Sequence, residues 1–177
     1  MSGMEQDATA RLLDLYKTCK AAKRFEERPI DNKALDTILE AARLAPSANN
    51  SQPWRFHVYQ KPTIIRDAAG LVGQTDLGGA AVLIAAAADE AMLSNRFREQ
   101  PFMMIDVPIA LSHIVLQAWT VGLATRIVWE FEEDKISKYL DIPSKHKMVA
   151  LVFLGFASEY EDRPGPPPSD FIGVDKF

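Results

Sequence analysis

Apolar positions recur along the chain with two distinct periods, and the switches between them set out the order of elements. Leu12, Leu15, Tyr16 and Cys19 fall at i, i+3, i+4 and i+7, the spacing of one helix face. Asp7 is placed to cap that helix, and Cys19 is expected in the core. A second helix opens at Asp31, with Ile30 and Leu35 at the two positions of a hydrophobic staple. Leu35, Ile38, Leu39 and Ala42 form its apolar stripe, and Pro46 ends it. Residues 54–59, Trp-Arg-Phe-His-Val-Tyr, then alternate with period two, as a half-buried strand does.

A short amphipathic helix follows over residues 62–73, with Ile64, Ile65, Ala68 and Ala69 inward. The unbroken apolar runs at 80–88 and 148–156 read as strands covered on both faces, although the alanines of the first leave a helix open. Residues 89–101 are polar, a surface excursion. The longest helical pattern spans 105–124, opening at Asp106, carrying Pro108 in its first turn and closing near Gly122. It is apolar on nearly every face apart from His113, Gln117 and Thr120, so it belongs at the centre or against its own copy in a dimer. Residues 126–131 read as a short strand, 132–140 as a small helix, and the proline-rich run from 164 as an extended arm.

Between the second helix and the first strand lies Pro46-Ser47-Ala48-Asn49-Asn50-Ser51-Gln52-Pro53-Trp54. Its prolines bias Ala45 and Gln52 toward extended backbone, which predicts a stiff, non-helical loop. The loop displays amides and hydroxyls, suited to an uncharged heteroaromatic ligand more than to a metal or a bare phosphate. A merely decorated turn is the alternative. The short basic cluster at 20–25 reads on its own as solvated surface.

Composition narrows the classes. A chain of 177 residues, 47% hydrophobic and 25% charged, is most simply one domain over 1–177 with a sizeable core. The net charge of -4 gives no basis for nucleic-acid binding. The single cysteine, Cys19, excludes an intrachain disulfide and favours a reducing, cytoplasmic location. The amino terminus has no secretory pattern, and the runs at 80–88 and 148–156 fall short of the roughly 20 residues of a membrane span. His57, His113 and His146 show no metal-ligand spacing and read as structural.

Taken together, Lys20-Ala-Ala-Lys-Arg-Phe, the 46–54 loop, and the helix ending at Gly122-Leu123 followed by Phe131 resemble the nitroreductase family of flavin enzymes. Residues 38–45, Ile-Leu-Glu-Ala-Ala-Arg-Leu-Ala, also look like that family's second helix. The resemblance covers nearly the whole chain. It implies an α+β sandwich, a central and mostly antiparallel sheet flanked by helices, and an intertwined homodimer with FMN at the interface. It further implies ping-pong chemistry: NAD(P)H delivers hydride to flavin N5, and a nitroaromatic, quinone or enone acceptor then uses the same open face. Another FMN reaction, dehalogenation or flavin breakdown, and a flavin-binding module without turnover are the rival readings.

The resemblance also carries residues. The family's usual Arg-Arg-Ser-x-Arg-x-Phe falls on residues 19–25, so Lys23 is implied at the pyrimidine edge of the flavin and Lys20 near its phosphate. Cys19 and Ala21 stand where an arginine and a serine are usual, so Ala21 offers backbone only. Pro46, Ser47, Ala48 and Asn50 are implied to approach the flavin, from the partner chain, with Asn49 toward the substrate. Gln74 matches a position often polar near the ring. Val128, Trp129 and Glu130 are implied near the hydride-accepting atom, Trp129 and Glu130 adding bulk and charge where relatives often have glycine. Arg163 stands alone where the family pairs basic residues for the phosphate.

Overall fold

Burial of a strand on both faces requires a helix layer on each side of its sheet, and that is the arrangement found. The computed structural model describes residues 3–92, 96–97, 100–162 and 165. Its helices are α1 (Gly3–Thr18), α2 (Asn32–Arg43), α3 (Pro62–Leu71), α4 (Met103–Thr120) and α5 (Glu133–Tyr139). The strands are β1 (Ala22–Phe25), β2 (Trp54–Tyr59), β3 (Val82–Asp89), β4 (Arg96–Phe97), β5 (Gln100–Pro101), β6 (Ala124–Val128), β7 (His146–Gly155) and β8 (Ala157–Tyr160).

The central sheet has the order β2-β3-β7-β6, every pair antiparallel. A β1–β8 ribbon is tied to its β6 edge by a parallel bridge between Ala21 and Thr125. In β3, residues 82–88 are buried throughout. Alanine is a weak strand former, but hydrogen bonding to β2 on one side and β7 on the other overrides that preference. Where Ala86 faces Ala150 and Ala87 faces Met148, Val149 is the extra residue of a β-bulge.

One face of the sheet, with Ile84, Ala86, Val152 and Leu154, packs against α2 and α4 through Leu35, Ile38, Leu111 and Ile114. The other, with Leu83, Ala85, Leu151 and Phe153, packs against α3, α5 and β1 through Ile65, Ile136 and Phe25. Asp31 caps α2 as expected, accepting from the Lys33 N–H, and Ile30 packs on the core that holds Leu35. Gly79 brings the loop before β3 close to β1: a Cβ there would lie 2.7 Å from the Phe25 carbonyl oxygen.

Several boundaries differ from the pattern. α1 opens at Gly3, so Asp7 lies inside it, and it ends at Thr18. Its apolar stripe is only partly covered by the described residues: Leu12 and Tyr16, like the neighbouring Leu13, are about half exposed, and Leu15 and Cys19 are half-buried rather than core. α4 opens at Met103, which puts Asp106 inside the helix and Pro108 in its second turn, and it closes at Thr120, with Gly122 at φ 75 turning the chain into β6. By length and composition α4 could cross a membrane, but Val107, Ala110, Leu111, Ile114 and Ala118 are fully buried against α2 and the sheet, as in a core helix. Trp129 to Phe131 lie beyond the end of β6.

Candidate functional site

The 46–54 loop is rigid, though for a different reason than its prolines suggest. Asn49, Asn50 and Gln52 all have positive φ, at 52°, 55° and 46°, and Ala48–Asn50 make one 3-10 turn. Gln52, which Pro53 should bias toward extended backbone, is held otherwise. Its N–H donates to the Ser47 hydroxyl at 3.0 Å, and its side-chain amide donates to Asn50 Oδ1 at 2.8 Å. Asp106, 1% exposed, accepts from the Ala48 N–H at 2.9 Å and from the Ser51 hydroxyl at 3.3 Å. Asp106 is therefore an anchor for the loop and not a helix cap, and both of its buried carboxyl oxygens find a partner there. Pro46, Asn49 and Asn50 remain exposed, while Ser47 and Ala48 are half-buried.

The basic cluster sits elsewhere. Lys23 on β1 and Gln74, just before the 3-10 turn Thr75–Leu77, line one cleft of about 430 Å³ together with Arg126, Tyr160 and Glu161. Lys20, Ala21 and Trp129 share an adjoining cleft of about 230 Å³, and Arg126 borders both. Val128 is buried at the end of β6, Trp129 is 50% exposed, and Glu130 is exposed. Arg163 and the proline-rich run lie outside the described residues, apart from the backbone at Gly165. Lys20, Ala21, Lys23, Gln74 and Trp129 are thus brought together.

The loop residues are not among them. Asp106, which holds the loop, is in the first turns of α4. Trp119 near its other end donates to the Thr18 hydroxyl at 3.2 Å and meets Tyr160 edge-on, with ring centroids 5.7 Å apart. Thirteen residues of helix separate Asp106 from Trp119, so the two groups lie about 20 Å apart along the axis of α4.

Charge around the cleft is balanced. Lys23 Nζ lies 2.5 Å from Glu159 Oε1; that carboxylate holds the ammonium above its ordinary range and is itself held low by it. Arg24 pairs with Asp76 at 2.9 Å, Lys20 with Asp162 at 3.9 Å, and Arg126 with Glu161. Burial pushes the Cys19 thiol up, away from reactivity.

Sequence reasoning missed Asp106, Arg126 and the acids at 159–162. The last had a readable signal, since Glu-Tyr-Glu-Asp is the charge complement of Lys-Ala-Ala-Lys-Arg. Asp106 had none beyond being a carboxylate on an otherwise apolar helix.

The histidines are structural: His57 Nε2 and His146 Nδ1 share a hydrogen bond of 2.9 Å, and His113 Nδ1 donates to the Ala41 carbonyl at 2.9 Å. Among the described residues no cluster of side chains could hold a metal ion. A separate cleft of about 380 Å³ beside Arg28, Gln60 and Arg66 holds none of the candidate flavin-binding or substrate residues.

Comparison with known proteins bears on this arrangement. The model described as Nitroreductase family matches residues 18–75 and 62–156. An NADH dehydrogenase of Thermus thermophilus is 27% identical over 189 residues, covering 86% of this chain and 91% of that protein. A nitroreductase family protein from Clostridium novyi NT superposes with a TM-score of 0.77 at 30% identity, covering 82% of this chain and 84% of the other. An FMN-dependent nitroreductase from Clostridium difficile R20291 shares the fold, with a TM-score of 0.75 at 23% identity over 92% and 98% of the two chains.

Proposed function

The chain belongs to the nitroreductase family of oxidoreductases, and from that premise we propose an FMN-dependent enzyme that oxidises NAD(P)H and reduces a small electrophilic acceptor, working as a homodimer. The observation that carries this reading is the separation of the loop from the basic cluster. Each half is ordered by its own contacts, yet about 20 Å of α4 lies between them. Two chains packed so that the loop of one meets the cluster of the other complete a site that one chain leaves in halves. The half-exposed Leu12, Leu13 and Tyr16 of α1 and Met104 and Ile105 of α4 supply apolar surface for such a contact.

The donor set at the cluster fits a flavin. An ammonium, a carboxamide and a guanidinium, from Lys23, Gln74 and Arg126, surround one cleft of about 430 Å³, within the size range of cofactor sites. Lys23 gives the cation that favours negative charge on the pyrimidine side of the ring, and Gln74 gives a donor and an acceptor. Trp129 lines the adjoining cleft, where its bulk limits the size of the acceptor. Bound there, FMN supplies the hydride relay between NAD(P)H and a nitroaromatic, quinone or enone. No side chain is then required as acid or base, in keeping with histidines tied up in structural bonds.

The protein reconstituted with FMN should be yellow and should bleach anaerobically on addition of NADH or NADPH. A protein that binds FMN but is bleached by neither loses the reductase assignment. For the shared site, Asn50→Ala and Lys23→Ala variants, each impaired alone, should regain activity when unfolded and refolded as a mixture. Absence of any recovery in mixed dimers contradicts the two-chain site.

A further inference from the structure

The resemblance offers Lys20 to a phosphate and Lys23 to the ring, yet in the folded chain both, like the neighbouring Arg24 and Arg126, already have a carboxylate. Lys23 is held by Glu159, Lys20 by Asp162, Arg126 by Glu161 and Arg24 by Asp76. Three of these four acids come from residues 159–162 alone. β8 lays that segment antiparallel on β1, with Ala22 opposite Tyr160, and the Glu161 N–H continues the ribbon to the Ala21 carbonyl at 2.9 Å. The pairing is therefore set by backbone register and not by chance meetings of long side chains. The Trp119 ring, edge-on to Tyr160, fixes the segment from below.

We infer that Glu161 and Asp162 set how far this site distinguishes a phosphorylated flavin from an unphosphorylated one, by occupying Arg126 and Lys20, the two cations that share the cleft beside Ala21. The inference rests on the flavin reading above. Among the described residues, a phosphate dianion entering that cleft meets two cations, each balanced by a carboxylate, not a positive field. It gains little from Coulomb attraction unless it displaces a carboxylate, and the displaced acid then repels it from a few ångströms away. Recognition falls instead on the ring and on backbone groups, which FMN and riboflavin present alike. Removing one acid frees one cation for the phosphate and leaves the ring contacts unchanged. Because the charges lie near solvent, the effect is modest and salt-dependent.

The test is titration of the flavin-free protein with FMN and with riboflavin, read by quenching of flavin fluorescence, at several salt concentrations. Asp162→Asn is the mild variant: its side chain is 91% exposed and its pair is long, so the fold is not at stake. Glu161→Gln is the stronger one, its pair with Arg126 being the less exposed, with its thermal midpoint measured alongside. FMN affinity should rise about threefold in Asp162→Asn and about five- to tenfold in Glu161→Gln, with riboflavin changed less than about twofold. The dependence of FMN affinity on salt should steepen in both.

Unchanged FMN affinity, or equal tightening of both flavins, overturns the inference: the first shows that the acids do not compete, the second that they act through the shape of the site. If neither flavin quenches with the wild-type protein, the flavin reading falls as well, and the wild-type titration alone identifies that outcome.

Discussion

At the amino-terminal end of α4, a carboxylate shut away from water holds the 46–54 loop by accepting from one backbone amide and one hydroxyl. At the other end, around β1 and β8, lysines and arginines meet carboxylates in the open, with Lys23 and Glu159 both largely exposed. Burial makes the first arrangement expensive to break and insensitive to salt, because an orphaned buried group pays its full desolvation cost. Exposure makes the second cheap to break and responsive to ions. The comparison separates a part of the site that must keep one shape from a part whose charges can exchange partners.

The sharpest way to break this contrast is at Asp106. Asp106→Ala should destabilise the protein by about 2–3 kcal/mol, measured as a lower urea midpoint, since it leaves the half-buried Ala48 N–H and the Ser51 hydroxyl without their acceptor and frees a strained loop. A loss as small as that of a surface residue would refute the anchor. Ser47→Ala removes the acceptor for the Gln52 N–H and should cost about 1 kcal/mol by the same measurement.

Between the two ends in character is the half-buried His57–His146 pair, held across the small alanines of β3. Burial first, then the nearby His146, pushes the His57 pKa below its ordinary value. As pH falls, the unfolded chain therefore takes up a proton before the folded one does. Stability should hold above the ordinary histidine value of about 6.5 and decline below it, through the depressed folded-state value. His57→Gln should flatten that decline in urea midpoints measured from pH 7 to pH 5; an identical slope would show that His57 plays no part.

The smallest structural effect is expected at Lys23. Lys23→Gln should leave the urea midpoint within error while weakening flavin binding, and that weakening should fade at high salt. A stability loss comparable with that of Asp106→Ala would erase the distinction between the two ends.

Much of the layout is legible because local signals and burial agree. Asp31 with Ile30 and Leu35 writes the start of α2, and the alternation at Trp54, Phe56 and Val58 writes β2, whose inward residues all join the α2–α4 core. The helix α1 is legible too, but the core position expected for Cys19 is not met, because periodicity reports an apolar stripe but not what covers it; Leu12 and Tyr16 keep helical spacing while remaining half exposed. The conformation of Gln52 was misread because the local bias imposed by Pro53 is overridden by hydrogen bonds to Ser47 and Asn50, which form only once the loop is closed.

By itself the sequence determined the helices, the strands β2, β3, β6 and β7, their order, the loop and the basic cluster, since these rest on interactions within a few residues, whereas β1 and β8 exist only through their pairing with each other. Tertiary structure alone decided what those features face. Asp106 is joined to Ala48 across 58 positions and Lys23 to Glu159 across 136. Pairings over such separations follow from strand register and helix packing, which no local pattern encodes, and so the neutralised charge of the cluster and the distance between it and the loop become visible only in the folded chain.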